Sequence, residues 1–128
     1  MKNKFKIALV LLMVAVFGLT ACGDKKVTED PSKDPKALKV GIVQIAEHPS
    51  LDTIRENIVI QLAEEGFIDG KNLIIDYKNA QNEMTNLKTI CQSFSAGKVD
   101  LIVAIATPSA QAALGETTEI PIIFSAIT

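Results

Sequence analysis

From residue 38 onward the chain alternates short β-branched apolar runs with one-sided helical stripes, and few folds accept that alternation. Lys39–Ile45 (Lys-Val-Gly-Ile-Val-Gln-Ile) reads as a strand covered on both faces, since its apolar run is nearly continuous. His48-Pro49-Ser50 breaks it. Leu51, Ile54, Ile58 and Leu62 then recur at helical spacing, with Asp52, Arg55, Glu56, Gln61 and Glu65 on the other face and Gly66 at the end. Asp69-Gly70 is a turn signal. Asn72–Lys78 reads as a second strand, Asn79–Asn82 as a polar loop, and Met84, Leu87, Cys91 and Phe94 as the buried stripe of a helix that Gly97 ends. Val99–Ala106 is a third strand. Thr107 can cap a helix that Pro108 opens and Gly115 stops, because a missing N–H costs nothing in a first helical turn. Ile120–Ala126 is a fourth strand.

The order β-α-β-α-β-α-β with right-handed crossovers implies an α/β fold: a parallel sheet with helices on both faces, in the flavodoxin-like order 2-1-3-4. Four strands and three helices leave part of one face bare. The sequence is therefore expected to be the front part of a longer protein.

The amino-terminal residues follow other rules. Lys2, Lys4 and Lys6 form a positive n-region, and Ile7–Leu19 an uncharged apolar h-region. As a helix of about 20 Å it falls short of a hydrocarbon core of about 30 Å, so it reads as a signal rather than a span. Leu19-Thr20-Ala21-Cys22-Gly23 resembles the bacterial lipobox, in which small residues admit a protease and the Cys sulfur takes the lipid. Gly23–Ala37 is polar, with Val27 its one large apolar residue, and cannot offset the entropy of ordering. The expected division is 1–21 signal peptide, 22–37 lipidated Cys22 and flexible tether, and 38–128 folded lobe. The expected location is the extracytoplasmic face of a cell membrane, lipid-anchored, on a Gram-positive surface.

Composition removes several functions. Loss of a leader bearing three lysines and no acid takes the formal charge from −2 to −5, and Trp is absent. With no basic patch or stacked aromatics, nucleic-acid binding is not expected. One His and one thiol outside the lipobox cannot supply a zinc site. No G-x-G-x-x-G or Walker pattern occurs, so no cofactor is expected. Cys91, on a helix face expected to be buried, reads as a small apolar filler.

Ligands of such sheets sit beyond the C-terminal ends of the strands. That selects Ala46–Ser50, Asn79–Asn82, Ala106–Ser109 and Ser125–Thr128. At the third loop the backbone N–H groups of Ser109 and Ala110, free at a helix N-terminus, could hold an anion together with the Ser109 hydroxyl; an ordinary helix start has the same features. Glu47 and His48 form an acid–His pair for which Ser50 or Ser109 could serve as nucleophile. No G-x-S-x-G elbow supports that hydrolase reading. Glu64, Glu65 and Glu83 read as a solvated face.

Val40–Asp52, Asp76–Gln81, Asp100–Ala112 and Ile120–Thr128 resemble the tryptophan/tyrosine-type substrate-binding proteins of ABC importers, and the resemblance covers essentially all of residues 38–128. It implies a two-lobed type I periplasmic-binding-protein fold, of which this chain holds part of the N-terminal lobe. It implies a small solute such as an aromatic amino acid, captured without catalysis and passed to an ABC permease and its ATPase. Carried over by position, Gln44, Glu47 and His48 would line the cleft from the first strand, and Asn79 and Gln81 from the second. Thr107 and Ser109 would bind a carboxylate or other polar group, and Thr128 would follow from the fourth strand. A sensory or adhesin-like domain on the same fold is the alternative.

Overall fold

A computed structural model describes residues 37–128; the expected leader, Cys22 and nearly all of the tether lie outside the described residues. The elements are β1 (Leu38–Gln44), α1 (Pro49–Glu64), β2 (Leu73–Asn79), α2 (Met84–Ala96), β3 (Leu101–Ile105), α3 (Thr107–Glu116) and β4 (Ile122–Ser125). All strand pairs are parallel and the order is β2-β1-β3-β4, as the sequence implies. Each boundary lies within two residues of the expected one. The strands end where their backbone groups leave the ladder.

Side chains alternate across the sheet with the strand period. Val40 and Ile42 of β1, Leu73 of β2, and Val103 and Ile105 of β3 form one core layer beneath α1. Val43, Ile102 and Ala104 form the other, against Leu87, Ile90, Cys91 and Phe94 of α2 and Ala110 and Ala113 of α3. On that second face a Cβ at Gly41 would stand 2.7 Å from Cδ2 of Phe94, so glycine is what lets the ring lie on β1.

The two faces are unequally covered. Leu51, Ile54, Ile58 and Leu62 point to the sheet as their spacing implies, yet each is only half-buried and α1 buries no residue fully. One helix over four strands is too little cover. On β4, Ile123 is 55% exposed and Phe124 60%. The bare surface expected from the element count is therefore present in the described lobe.

Several local expectations are corrected. Met84 is 57% exposed, and Ile90 takes its place in the buried stripe. As the first residue of α2, Met84 lies beyond the sheet that the later turns cover. Gly115 does not stop α3, which continues to Glu116, with Thr117 as its C-cap. The N-cap of α3 is Ala106, not Thr107, and no side chain caps it; Thr107 is already helical. Asp52 and Arg55, assigned to the solvent face of α1, are half-buried and join a network described below.

Candidate functional site

The residues after β1, β2, β3 and β4 meet at one end of the sheet, because all four strands run the same way. Backbone bonds join the loops there. Ala80 N–H donates to Gln44 O at 2.9 Å, Asn82 N–H to Ile45 O at 2.7 Å, and Ala106 N–H to Ser125 O at 2.9 Å. Among the described residues five non-glycines have positive φ, and four of them lie here: Gln81 (54°), Asn82 (62°), Ala106 (76°) and Ala126 (55°). Such conformations disfavour residues with a Cβ and concentrate at ligand clamps.

A hollow of about 370 Å³ is lined by Ala46, Glu47, Asn79, Gln81 and Asn82. A second, of about 510 Å³, shares Asn79 and Gln81 and extends past Tyr77 and Lys78 to Asn86, Thr89 and Ile90 of α2. Asn79 shapes both. Its Oδ1 accepts from the Gln81 backbone at 2.7 Å, an Asx turn that sets up the left-handed pair Gln81-Asn82. A third hollow of about 320 Å³ lies on α1, between Ile58, Leu62 and Phe67 and edged by Gln61 and Glu65. Its lining is almost wholly apolar and lacks the converging polar groups that orient a ligand.

Beneath the loops lie two buried polar side chains. Gln44 is fully buried; its Nε2 donates to Ala46 O at 2.6 Å and to Asp52 Oδ1 at 2.9 Å. Its Oε1 meets no hydrogen-bond partner among the described residues, and neither does the hydroxyl of the fully buried Ser109. Asp52 lies 3.9 Å from Arg55, whose guanidinium stacks 4.4 Å from the centre of the Tyr77 ring, and Tyr77 Oη accepts from Asn79 Nδ2 at 3.4 Å. A polar chain thus runs from the end of β1, over α1, to the end of β2.

The sequence-selected residues fall into three groups, with His48 apart from all of them. Glu47, Asn79 and Gln81 share the 370 Å³ hollow. Thr107 and Thr128 meet each other: Thr128 N–H donates to Thr107 Oγ1 at 3.1 Å, which binds the end of β4's loop to the start of α3. Gln44 and Ser109 lie underneath, and His48 stands apart as the N-cap of α1, its Nδ1 accepting from Ser50 N–H at 3.3 Å. One ring nitrogen of His48 is thus engaged in a cap, and Ser109 is sealed from solvent. At α3 the Ala110 N–H donates to Ala106 O at 3.2 Å, so of the two amides expected to be free only that of Ser109 remains without an intrahelical acceptor. Asp52, Arg55 and Tyr77 were missed as site-shaping residues. Their signal was weak, since a charged residue in an amphipathic helix ordinarily faces water.

Residues 39–128 match the family model described as ABC transporter substrate binding protein. The chain belongs to that family. It is 43% identical over 133 residues to the tyrosine-binding protein of Clostridioides difficile strain R20291, a match covering 98% of this chain and 39% of the relative. Two solved structures superpose on its lobe. One is the ligand-free, open structure of a substrate binding protein with adhesive properties from Clostridium difficile: TM-score 0.71, 48% identity, 72% of this chain and 31% of that one. The other is the ABC domain in complex with L-Trp from Streptococcus pneumonia: TM-score 0.69, 39% identity, 72% and 31%. The fold is of the type I periplasmic-binding-protein kind, with a parallel sheet of order β2-β1-β3-β4 and helices on both faces. The family is one of substrate-binding proteins, not enzymes, and its members are extracytoplasmic. The chain spans about two fifths of its curated relative.

Proposed function

We propose that the chain is a solute-binding lipoprotein of an ABC importer, capturing an aromatic amino acid or similar small solute for delivery to a permease and its ATPase. The observation that carries the reading is the gathering of Glu47, Asn79 and Gln81 around one hollow at the C-terminal end of a parallel sheet. The ligands of the C. difficile and S. pneumonia relatives, tyrosine and tryptophan, support the ligand class. In this reading Glu47, Asn79 and Gln81 meet the solute directly and Thr107 and Thr128 border it. Gln44 and Ser109 set the floor, and His48 fixes the loop that carries Glu47. The mechanism is binding alone, with ligand stabilising the bound conformation by its differential affinity. Residues 1–21 serve as the export signal, Cys22 carries the lipid, and residues 22–37 tether the lobe to the outer face of the cell membrane.

Two experiments test it. Thermal unfolding of the chain with L-tyrosine, L-tryptophan or L-phenylalanine, against L-isoleucine, should show a rise in Tm with an aromatic ligand. No rise with any of the three removes the aromatic assignment. Membrane fractionation should move a Cys22→Ser protein out of the lipid-anchored fraction; unchanged fractionation and mass would remove the lipid anchor.

An adhesin-like role on the same fold is a second reading, favoured by the adhesive properties of the C. difficile protein. Host-cell adhesion by beads coated with the chain, indifferent to amino-acid ligand, would favour it over solute capture.

A further inference from the structure

Asp52 and Arg55 stand three positions apart in α1, so their side chains leave the same face of the helix. Gln44 of β1 and Asn79 of β2 are partners in the parallel register, and Tyr77 precedes Asn79 by two residues on the same side of its strand. The two loops that wall the 370 Å³ hollow start from this pair. One carries Glu47 just after Gln44, and the other carries Gln81 just after Asn79.

Asp52 serves the first loop. It accepts from the same Gln44 nitrogen that donates to the carbonyl of Ala46, the residue before Glu47. Arg55 serves the second. Its guanidinium lies 4.4 Å from the centre of the Tyr77 ring, within cation–π range, and its side chain is only 26% exposed. Its buried Nε has no hydrogen-bond partner among the described residues. The ring face and the carboxylates of Asp52, at 3.9 Å, and Glu56, at 3.5 Å, are what hold the group. Beyond the ring, the Tyr77 hydroxyl accepts from Asn79 Nδ2 at 3.4 Å, and Asn79 Oδ1 accepts from the Gln81 N–H at 2.7 Å. Both ends of the Asn79 amide are thus used to fix its plane. Gln81 is thereby held at a φ of 54°, uncommon for a residue with a Cβ.

We propose that Arg55 is a positioning residue for the hollow. Through the Tyr77 ring it sets the Asn79 amide and the Gln81 turn, and through Asp52 it ties that wall to the one that carries Glu47. That the hollow takes a solute rests on the function proposed above; the coupling of Arg55 to Gln81 does not. The role calls for arginine. A lysine ammonium keeps the charge toward Asp52, but it is compact and strongly hydrated and has no plane to lay on the ring.

Amide hydrogen exchange of the solute-free chain, followed by NMR, reads the coupling directly. Arg55→Lys should speed exchange of the Gln81 N–H by about 3–10-fold and shift the Asn79 side-chain amide. Exchange within β1 and β3 should stay as it was, whereas a general loss of stability would speed it as well. Tyr77→Phe keeps the ring and removes the hydroxyl, and should have the same effect at Gln81. Adding Arg55→Lys to Tyr77→Phe should then change Gln81 no further. Titrated with L-tyrosine or L-tryptophan, Arg55→Lys and Tyr77→Phe should each bind about 3–10-fold more weakly than the parent. Unchanged Gln81 exchange in Arg55→Lys overturns the proposal, as do additive effects of the two substitutions or equal acceleration throughout the sheet. Weaker solute binding with Gln81 unmoved would mean that Arg55 touches the solute itself, and overturns it too. A parent that binds neither solute but shows the Gln81 coupling supports the positioning role and removes only the aromatic ligand.

Discussion

Asp52 accepts a hydrogen bond from the buried amide of Gln44 at 2.9 Å, linking the first turn of α1 to the last residue of β1. The contact fixes which way the Gln44 amide points, since its nitrogen is held by Asp52 and Ala46 together. Removing Asp52 leaves a buried N–H short of an acceptor. Asp52→Ala is expected to destabilise the lobe by about 1–3 kcal/mol, read from the midpoint of a urea titration at unchanged slope. No loss of stability would show that the amide finds another acceptor.

Gly41 is fixed by the Phe94 ring. A methyl there would lie 2.7 Å from Cδ2 and 2.8 Å from Cγ, and a ring packed between a strand and a helix has little room to move. Gly41→Ala should cost about 1–3 kcal/mol as overpacking. In a double-mutant cycle with Phe94→Leu the penalty of Gly41→Ala should shrink. Additive penalties would mean that the clash is not with Phe94.

Ala106 has φ 76° and ψ 154°, a region that favours glycine. Its backbone still makes two bonds, to Ser125 and from Ala110. Ala106→Gly relieves the Cβ strain while keeping both, and should stabilise the lobe by about 1 kcal/mol in denaturant unfolding. A destabilised variant would show that the alanine methyl contributes packing that outweighs its strain.

Burial pushes the Cys91 thiol up from 9.0 to about 11, with the Glu116 charge adding in the same direction. The unfolded chain loses this proton near 9 while the folded one retains it. Cys91 therefore contributes no pH dependence below pH 9, and disfavours the folded state as pH rises from 9 toward 11. Replacing it with alanine should flatten that part of the stability profile. Iodoacetamide at about pH 8 should spare Cys91 in the folded lobe and label it in urea. Equal labelling in both would contradict the burial.

The topology was legible because its cause is local. Strand-length apolar runs and helical stripes follow one another through residues 38–128, and the handedness of crossovers does the rest. Where the chain turns back was legible for the same reason: four loops must gather where parallel strands end. What each loop residue does was not. His48 caps a helix and Thr107 binds Thr128, roles set by distances across the fold. Asp52 and Arg55 sit at helical positions that ordinarily face water. They turn inward because Gln44 and Tyr77 lie on the neighbouring strands, which one-dimensional spacing does not carry. The absent cap at Ala106 was illegible because Thr107-Pro108 has the composition of a good helix start whichever residue takes the non-helical conformation.

The central claim is that the solute meets this lobe at the C-terminal end of its sheet. Amide-resolved NMR of the chain, titrated with L-tyrosine and L-tryptophan, tests it most directly. The account predicts shift changes confined to Glu47, Asn79, Gln81, Thr107, Thr128 and their neighbours, with the turns at 66–72, 97–100 and 117–121 unmoved. Changes centred on those opposite turns or on the α1 hollow of Ile58, Leu62 and Phe67, or none at all, would contradict it.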